Sequence, residues 1–326
     1  MLDTISIGAA TVDIFIKSES FSVQDNSSCS NNLSLVLPYA SKEEINQSLI
    51  CSGGGATNSS VAFSRLGLKS ACVSLFGQDN LSNYVLTDLK NEKVNYKHSI
   101  RLKKDNTDFS VIIIAPDGAR TILVNRGSSC LEKQHIDWDF LKKTKWLYIT
   151  SLEGNLDLLE NLIGFGTENN IKISLNPGSR ELAQKKLLKS FLPYIDFLLL
   201  NKEESETLAG LKSDHRDFWS ELKSTGSKIT AVTKGRNGAY IISDSQTIFS
   251  PIISTVPQDE TGAGDSFGSA FVAGLIHQQD IQTCLNWAIH NSASVVSHLG
   301  AKTGLLTLSK IKKQTKLNRP QVSFPE

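Results

Sequence analysis

Seven residues, Asp259-Glu260-Thr261-Gly262-Ala263-Gly264-Asp265, join a glycine-rich turn, a helix start and a free carboxylate. Beyond Asp265, the apolar residues Phe267, Ala270, Phe271, Gly274 and Leu275 recur at the spacing of one buried helix face, so the glycines sit at a helix N-terminus. There the first backbone N–H groups lack partners inside the helix and the aligned peptide dipoles leave partial positive charge, which attracts an anion. Gly262 and Gly264 keep side chains out of its way. Asp265 falls in the first turn, where a carboxylate is either an ordinary cap or a proton acceptor. A cap needs no preceding Gly-Ala-Gly, and Asp259 and Glu260 crowd a turn that would otherwise draw phosphate. The combination suggests phosphoryl transfer.

A second cluster, Ser52-Gly53-Gly54-Gly55-Ala56-Thr57-Asn58, precedes the helical pattern Val61, Ala62, Leu66, closed by Gly67. Consecutive glycines let a ligand approach the backbone, although a flexible turn would also use them. Asn58 offers both a donor and an acceptor to hydroxyl groups. Asp13, read as the end of the first strand region after Gly8, adds a charged acceptor. Together these groups suit a polyhydroxylated ligand.

The elements that must position these residues alternate. Short β-rich runs at Thr4 to Ile7, Ala71 to Leu75, Trp146 to Ile149, Ile171 to Leu175, Phe197 to Leu200 and Ile229 to Thr233 are apolar enough to be buried on both faces. Amphipathic stretches such as Leu81 to Leu89, Leu156 to Gly164 and Phe218 to Leu222 lie between them, which predicts an α/β fold with a mostly parallel sheet and helices on both faces. Two regions break the alternation. One, from about Ile14 to Ile50, is rich in Ser and Asn, with β-like patches at Ile14 to Ile16 and Leu33 to Leu37. The other, from about Tyr96 to Arg126, reads as a hairpin of Phe109 to Ala115 and Thr121 to Val124 around Pro116-Asp117-Gly118. We expect them to form a small β-sheet lid, 14–50 and 96–126, inserted into a main domain of 1–13, 51–95 and 127–326. A lid would exclude water from phosphoryl transfer. A dimerisation sheet is compatible with that role, and a homodimer through the lid is expected. The tail is expected to fray over Arg319 to Glu326.

The whole-chain properties are permissive. Over 326 residues the formal net charge is +1 with 21% charged residues, so no global field favours nucleic acid or an acidic membrane, and an anion site must be local. The five cysteines are far apart and include no C-x-x-C pair, which indicates neither a disulfide framework nor a zinc cluster. No basic n-region opens the chain and no apolar run reaches membrane-spanning length, so a cytoplasmic location is expected. The sequons at Asn26 and Asn58 then count as chance matches.

With these residues in hand, the chain resembles the PfkB (ribokinase-like) family of sugar and nucleoside kinases. Both family signatures are visible: Gly53 to Asn58 with Arg65-Leu66-Gly67, and Asp259 to Asp265 with Ser266-Phe267. Between them Phe76-Gly77-Gln78-Asp79, Asn176-Pro177-Gly178, Asn201-Lys202-Glu203-Glu204 and Thr233-Lys234-Gly235-Arg236-Asn237-Gly238 follow in the family's order. The resemblance implies a three-layer α/β/α kinase with a β-sheet lid, using ATP and Mg²⁺ on a small sugar or nucleoside. It implies Asp265 as general base and the amides of Gly262, Ala263 and Gly264 as anion hole. The substrate site falls on Asp13, Gly53, Gly54, Gly55, Asn58 and Glu153, the last equally readable as a loop residue or cap. The nucleotide site falls on Asn201, Glu204, Thr233, Gly235, Asn237 and Gly238, with Glu204 holding Mg²⁺ through water; an N-capped acidic first turn would look the same. Asp259 and the Thr261 carbonyl match a monovalent cation site, for K⁺, that carbonyls near His298 and Gly300 would complete.

The sequence departs from the ribokinase pattern Gly-Gly-Lys-Gly-Ala-Asn, with Gly55 in place of the lysine and Thr57 in place of the second alanine. That departure bears on ribose specificity rather than on phosphorylation. Arg126 reads either as a contact for an acidic sugar such as 2-keto-3-deoxygluconate or as an exposed lid-to-core ion pair, and Phe109 is available as an aromatic platform for a nucleoside. A non-catalytic sugar- or nucleotide-binding regulator is the alternative from another class, and retention of Asp265 speaks against it. A dinucleotide-dependent oxidoreductase would need G-x-G-x-x-G after the first strand, which Gly8-Ala9-Ala10-Thr11 does not supply.

Overall fold

The computed structural model describes residues 1–29, 32–116, 119–127, 130–317 and Ser323. In the first half of the chain the strands are β1 (Thr4–Ile7), β2 (Thr11–Lys17), β3 (Ser22–Asp25), β4 (Leu33–Val36), β5 (Gln47–Gly53), β6 (Ser70–Val73), β7 (Leu75–Gly77) and β8 (Ile100–Leu102). They continue as β9 (Asp108–Ile114), β10 (Arg120–Asn125), β11 (Trp146–Ile149), β12 (Lys172–Leu175), β13 (Phe197–Asn201), β14 (Ile229–Thr233), β15 (Ala239–Ser243) and β16 (Thr247–Ser250). The expected apolar runs all become strands of one sheet, ordered β16-β15-β14-β13-β12-β11-β1-β6. From β6 to β14 neighbours run parallel, and β15 and β16 close the edge antiparallel.

Alternation along these strands feeds two cores. Ile5, Ile7, Leu147, Ile149, Leu198 and Leu200 face one layer, which holds the helices Leu156–Glu168, Lys185–Phe191, Lys202–Ala209 and Phe218–Ser224. Tyr148, Phe197 and Leu199 face the other, with the helices Gly55–Arg65, Ala263–Ile276 and Ile281–Val296. Period-two side-chain alternation in strands buried on both faces thus makes the three layers. Phe197 stacks on Phe271 with ring centroids 4.7 Å apart at the centre of the second core.

The chain order reverses between β1 and β11, with β6 on one side and β12 to β14 on the other. In open α/β sheets ligands bind outside the carboxyl ends of strands at such a switch point. Gly8, at φ +145, turns the chain there out of the central sheet, and a side chain on it would lie 2.1 Å from the Thr150 hydroxyl. That turn corrects one expectation. Asp13 does not end the first strand region: β1 stops at Ile7, and Asp13 sits within β2, opposite Cys51 of β5 and Ser110 of β9.

The small sheet is ordered β10-β9-β2-β5, with β2 and β9 parallel and the outer pairs antiparallel. It takes in Thr11 to Asp13 and Cys51 to Gly53 as well as the hairpin, whose turn residues Asp117 and Gly118 lie outside the described residues. The patch at Leu33 lies in a separate hairpin of β3 and β4. The run at Ala71 also breaks early, because the Ser74 hydroxyl donates to the Gly8 carbonyl (2.5 Å) and Leu75 begins β7, which pairs with β8. Of the tail expected to fray, Ser323 pairs with Phe249, and 319–322 and 324–326 lie outside the described residues. Truncating the stacked, fully buried ring in Phe271→Ala should cost about 3–5 kcal/mol of stability, read from the urea midpoint at an unchanged slope.

Candidate active site

The Ala263–Ile276 helix begins at Gly262, whose left-handed backbone (φ +76) packs against Ala301; a side chain there would meet the Ala301 Cβ at 2.5 Å. Gly264 differs, since nothing lies within 4 Å of the position a Cβ would take. Gly262 is therefore a packing glycine and Gly264 an open one. Of the amides assigned to an anion, that of Ala263 already donates to the Glu260 carbonyl (3.2 Å), while those of Gly262 and Gly264 have no acceptor among the described residues. This corrects the expectation for Ala263: the tight turn that starts the helix consumes its N–H.

Asp265 is half-buried at the third helical position, and the Asn58 amide donates to its Oδ2 at 2.8 Å. Asn58 is buried, and its own Oδ1 has no partner among the described residues. A buried acceptor left unpaired costs about 1–3 kcal/mol, so a site built this way is suited to a donor from outside, such as a hydroxyl. Burial pushes the Asp265 carboxyl above its ordinary value; the Asn58 donation and the Lys302 charge oppose that, and the Asp13 charge adds to it. The sequence reading put Asn58 on the substrate alone and missed its bond to Asp265, 207 residues away.

Asp13 is also buried and its carboxyl is raised by desolvation, against hydrogen bonds from Thr11 (3.1 Å) and Ser110 and the charge of Lys302. The three glycines of the first signature pack against protein rather than leaving their side-chain faces open. A Cβ on Gly53 would lie 2.0 Å from Asp13 Oδ2, one on Gly54 (φ +89) 2.5 Å from the Ala9 carbonyl, and one on Gly55 2.8 Å from Thr150. They let the end of β5 press against Asp13 and the β1–β2 turn. Beneath them lies a cluster the sequence reading missed altogether: the buried Lys302 ammonium donates to Ser52 and to Asp88 (3.1 Å).

Glu153 follows β11 in a left-handed conformation (φ +60) and binds two guanidinium groups, Arg126 from the end of β10 and Arg180 at 3.1 Å. Arg126 thus makes the small-sheet-to-core ion pair, one of its two readings. The strained turn is held by the buried Glu181, whose carboxylate accepts the N–H groups of Leu152, Gly154 and Gly178, each at 2.8 Å. Its bond to Gly178, three residues earlier, is a local helix cap, but nothing in the local sequence announces the bonds to Leu152 and Gly154.

On the far side, Asn201 and Thr233 are register partners at the ends of β13 and β14. Asn201 and Glu204 form a reciprocal capping box: Glu204 Oε2 accepts the Asn201 N–H and Asn201 Oδ1 accepts the Glu204 N–H, both at 2.9 Å. The other Glu204 oxygen has no partner among the described residues. Burial raises the Glu204 carboxyl, and the charges of Glu203 and Asp265 push the same way against the Asn201 hydrogen bond, so Glu204 and Asp265 share one field. Gly235 and Asn237 lie exposed in a short 3₁₀ turn, whereas Gly238 (φ +87) is a packing position whose Cβ would meet the Ser250 carbonyl at 2.4 Å. Arg236 of that turn shares a cavity of about 400 Å³ with Phe15, Ile112, Arg120 and Asp259.

Asp259 does not match its expected role. Its Oδ1 accepts the Thr261 N–H (2.9 Å), the Thr261 hydroxyl (2.7 Å) and the Arg120 guanidinium, and its Oδ2 accepts the Gly300 N–H (3.0 Å). The His298 ring bonds the Ser294 carbonyl (2.7 Å). The carboxylate assigned to K⁺ thus already holds a cation from the chain itself, the Arg120 guanidinium.

The fold and this site can now be set beside known proteins. The model for the pfkB family of carbohydrate kinases matches residues 7–308, and the chain belongs to that family. It is similar to a protein from Archaeoglobus fulgidus named as an uncharacterized sugar kinase, at 28% identity over 75% of this chain and 98% of the relative. A nucleoside kinase of Methanocaldococcus jannaschii is 26% identical over 82% of this chain and 86% of its own. Among solved structures, Arabidopsis thaliana ribokinase complexed with ribose and ATP superposes with a TM-score of 0.79 at 17% identity, covering 97% of this chain and 99% of that one. The protein is an ATP-dependent phosphotransferase of the carbohydrate kinase type. No helix among the described residues is long and apolar enough to cross a membrane.

Raised carboxyls lose their charge as pH falls, so turnover should decline on the acid side through a pH above 3.8, the ordinary aspartate value. Asn58→Leu removes the donor that favours the charged form of Asp265, which should move the acid limb of the kcat profile further up and lower its plateau. A limb that stays in place would separate Asn58 from the titrating group.

Proposed function

We propose that the chain transfers the γ-phosphoryl group of ATP to a hydroxyl of a small sugar of the ribose, fructose or 2-keto-3-deoxygluconate type. The observation that supports it best is the juxtaposition of Asp265, the unpaired Asn58 acceptor and the open Gly264 amide at one helix start. Asp265 accepts the hydroxyl proton as the sugar oxygen forms its bond to phosphorus, and the bond to the β-γ bridging oxygen breaks with its electron pair leaving on ADP. Charge that builds on the transferring group meets the N–H groups of Gly262 and Gly264 and the helix dipole. Asn58 holds the base and receives a donor from the sugar, and Asp13, Glu153 and the end of β5 orient the remaining hydroxyls.

Asn201, Glu204, Thr233, Gly235 and Asn237 bracket the nucleotide on this reading, with Gly238 shaping their turn. Mg²⁺ fits the donors present: one Glu204 oxygen has no partner among the described residues, which suits an ion held through water and phosphates. When bound, it neutralises charge on the β- and γ-phosphates. The small sheet serves as a lid, and an ATP donor goes with a cytoplasmic location.

The second reading is a nucleoside kinase of adenosine, inosine or cytidine type, which the Methanocaldococcus relative favours. Phe109, its candidate platform, packs against the cluster of Ala10 and Val12 instead of standing free, which favours the sugar. ADP release should be measured with ribose, fructose, 2-keto-3-deoxygluconate, adenosine, inosine and cytidine, against a no-acceptor control. A sugar is expected to turn over fastest, with Asp265→Asn losing about 100- to 10,000-fold in kcat; silence with every acceptor would leave a binding protein.

The homodimer rests on β10, an edge strand on which Ile122, Leu123 and Val124 are 46%, 55% and 52% exposed. A long apolar edge of this kind is normally covered. Light scattering after gel filtration should give twice the chain mass, and Leu123→Glu should reduce it to one; a wild-type monomer at micromolar concentration would rule the dimer out.

A further inference from the structure

The turn before the helix start carries a charge problem. Asp259 has a side chain only 3% exposed, and it lies immediately ahead of the Gly262 and Gly264 amides. A buried, uncompensated carboxylate beside a phosphate subsite would repel the ligand through a medium that screens poorly. The N–H and hydroxyl donors of Thr261 and the Gly300 amide shape the carboxylate but supply no net charge. The cation that does is Arg120, which reaches across from the first residue of β10, bonds Asp259, and donates to the Thr261 hydroxyl at 3.0 Å. Its second terminal nitrogen lies 3.8 Å from Glu260.

We propose that Arg120 is a positioning residue that supplies, from the small sheet, the fixed positive charge bonded to Asp259, so that the protein works without a monovalent metal ion. A guanidinium carries a permanent charge in a planar fork, so it can neutralise Asp259 and orient Thr261 at once, as a spherical ion cannot. The charge is also tethered. It is in place only when β10 is seated against the turn, so the phosphate subsite is complete only with the small sheet docked. The kinetic part of this proposal rests on the phosphoryl-transfer reading, and the thermal part stands apart from it.

The test compares K⁺ with tetramethylammonium at constant ionic strength, in kinetics and in thermal unfolding. Wild-type kcat, KM for ATP and Tm should be the same in both salts. Arg120→Ala should lose about tenfold or more in kcat in tetramethylammonium and regain part of it with K⁺ or with millimolar guanidinium. Its Tm should rise with K⁺ over tetramethylammonium. Arg120→Lys, which keeps the charge, should retain most activity and respond little to K⁺. A wild type whose kcat or Tm depends on K⁺ would overturn the proposal, as would a folded Arg120→Ala variant whose Tm is indifferent to K⁺. If no acceptor turns over in any protein, the phosphoryl-transfer reading fails while the Tm comparison still decides the role of Arg120.

Discussion

The upper end of the central sheet is organised around one electrostatic conflict: a carboxylate, Asp265, sits beside a helix N-terminus whose own field and open amides favour a second anion. Each neighbour answers part of it. Asn58 holds the carboxylate by a neutral donor, Lys302 contributes positive charge from beneath, and the open amide of Gly264 leaves room on the helix axis. Asp13 and Glu204 stand close enough to be felt as like charges, and burial raises all three carboxyls. Like charges so placed raise the cost of ionising each of them.

What could be read from the sequence was what is local. The apolar runs, buried on both faces, announced the parallel sheet, and Phe267, Ala270 and Phe271 announced the helix that begins at Gly262. Both signatures came to the same end of that sheet because each immediately precedes a helix packed on the same face. What could not be read was pairing across the chain. The contacts of Asn58 with Asp265, Lys302 with Asp88 and Arg120 with Asp259 join residues separated by 207, 214 and 139 positions, and no spacing rule anticipates them.

Glycine was the least transparent residue. The same letter serves opposite ends: Gly264 faces open space, while Gly53, Gly54, Gly55 and Gly238 are small because protein atoms occupy the place of a side chain. A glycine-rich run reads as exposed backbone from sequence, yet close approach of two protein segments demands glycine just as strictly. The Asn201 to Glu204 patch has a similar double meaning. Its reciprocal cap explains the residues by helix formation, and the Glu204 oxygen with no partner among the described residues leaves a second use open.

The short strand β10 ends in two ionic anchors, Arg120 on the phosphate side and Arg126 on the Glu153 side. Arg120 opens β10 and Arg126 follows its last residue, so the length of the strand, at about 3.3 Å per residue, sets the spacing between the two anchors. β10 is therefore a ruler. Inserting or deleting one residue within the strand would change the span by a residue's rise and shift its register against β9. Length variation in this hairpin should thus be confined to its turn, and two chemically separate ends of the site are kept in step by nothing more than a count of residues.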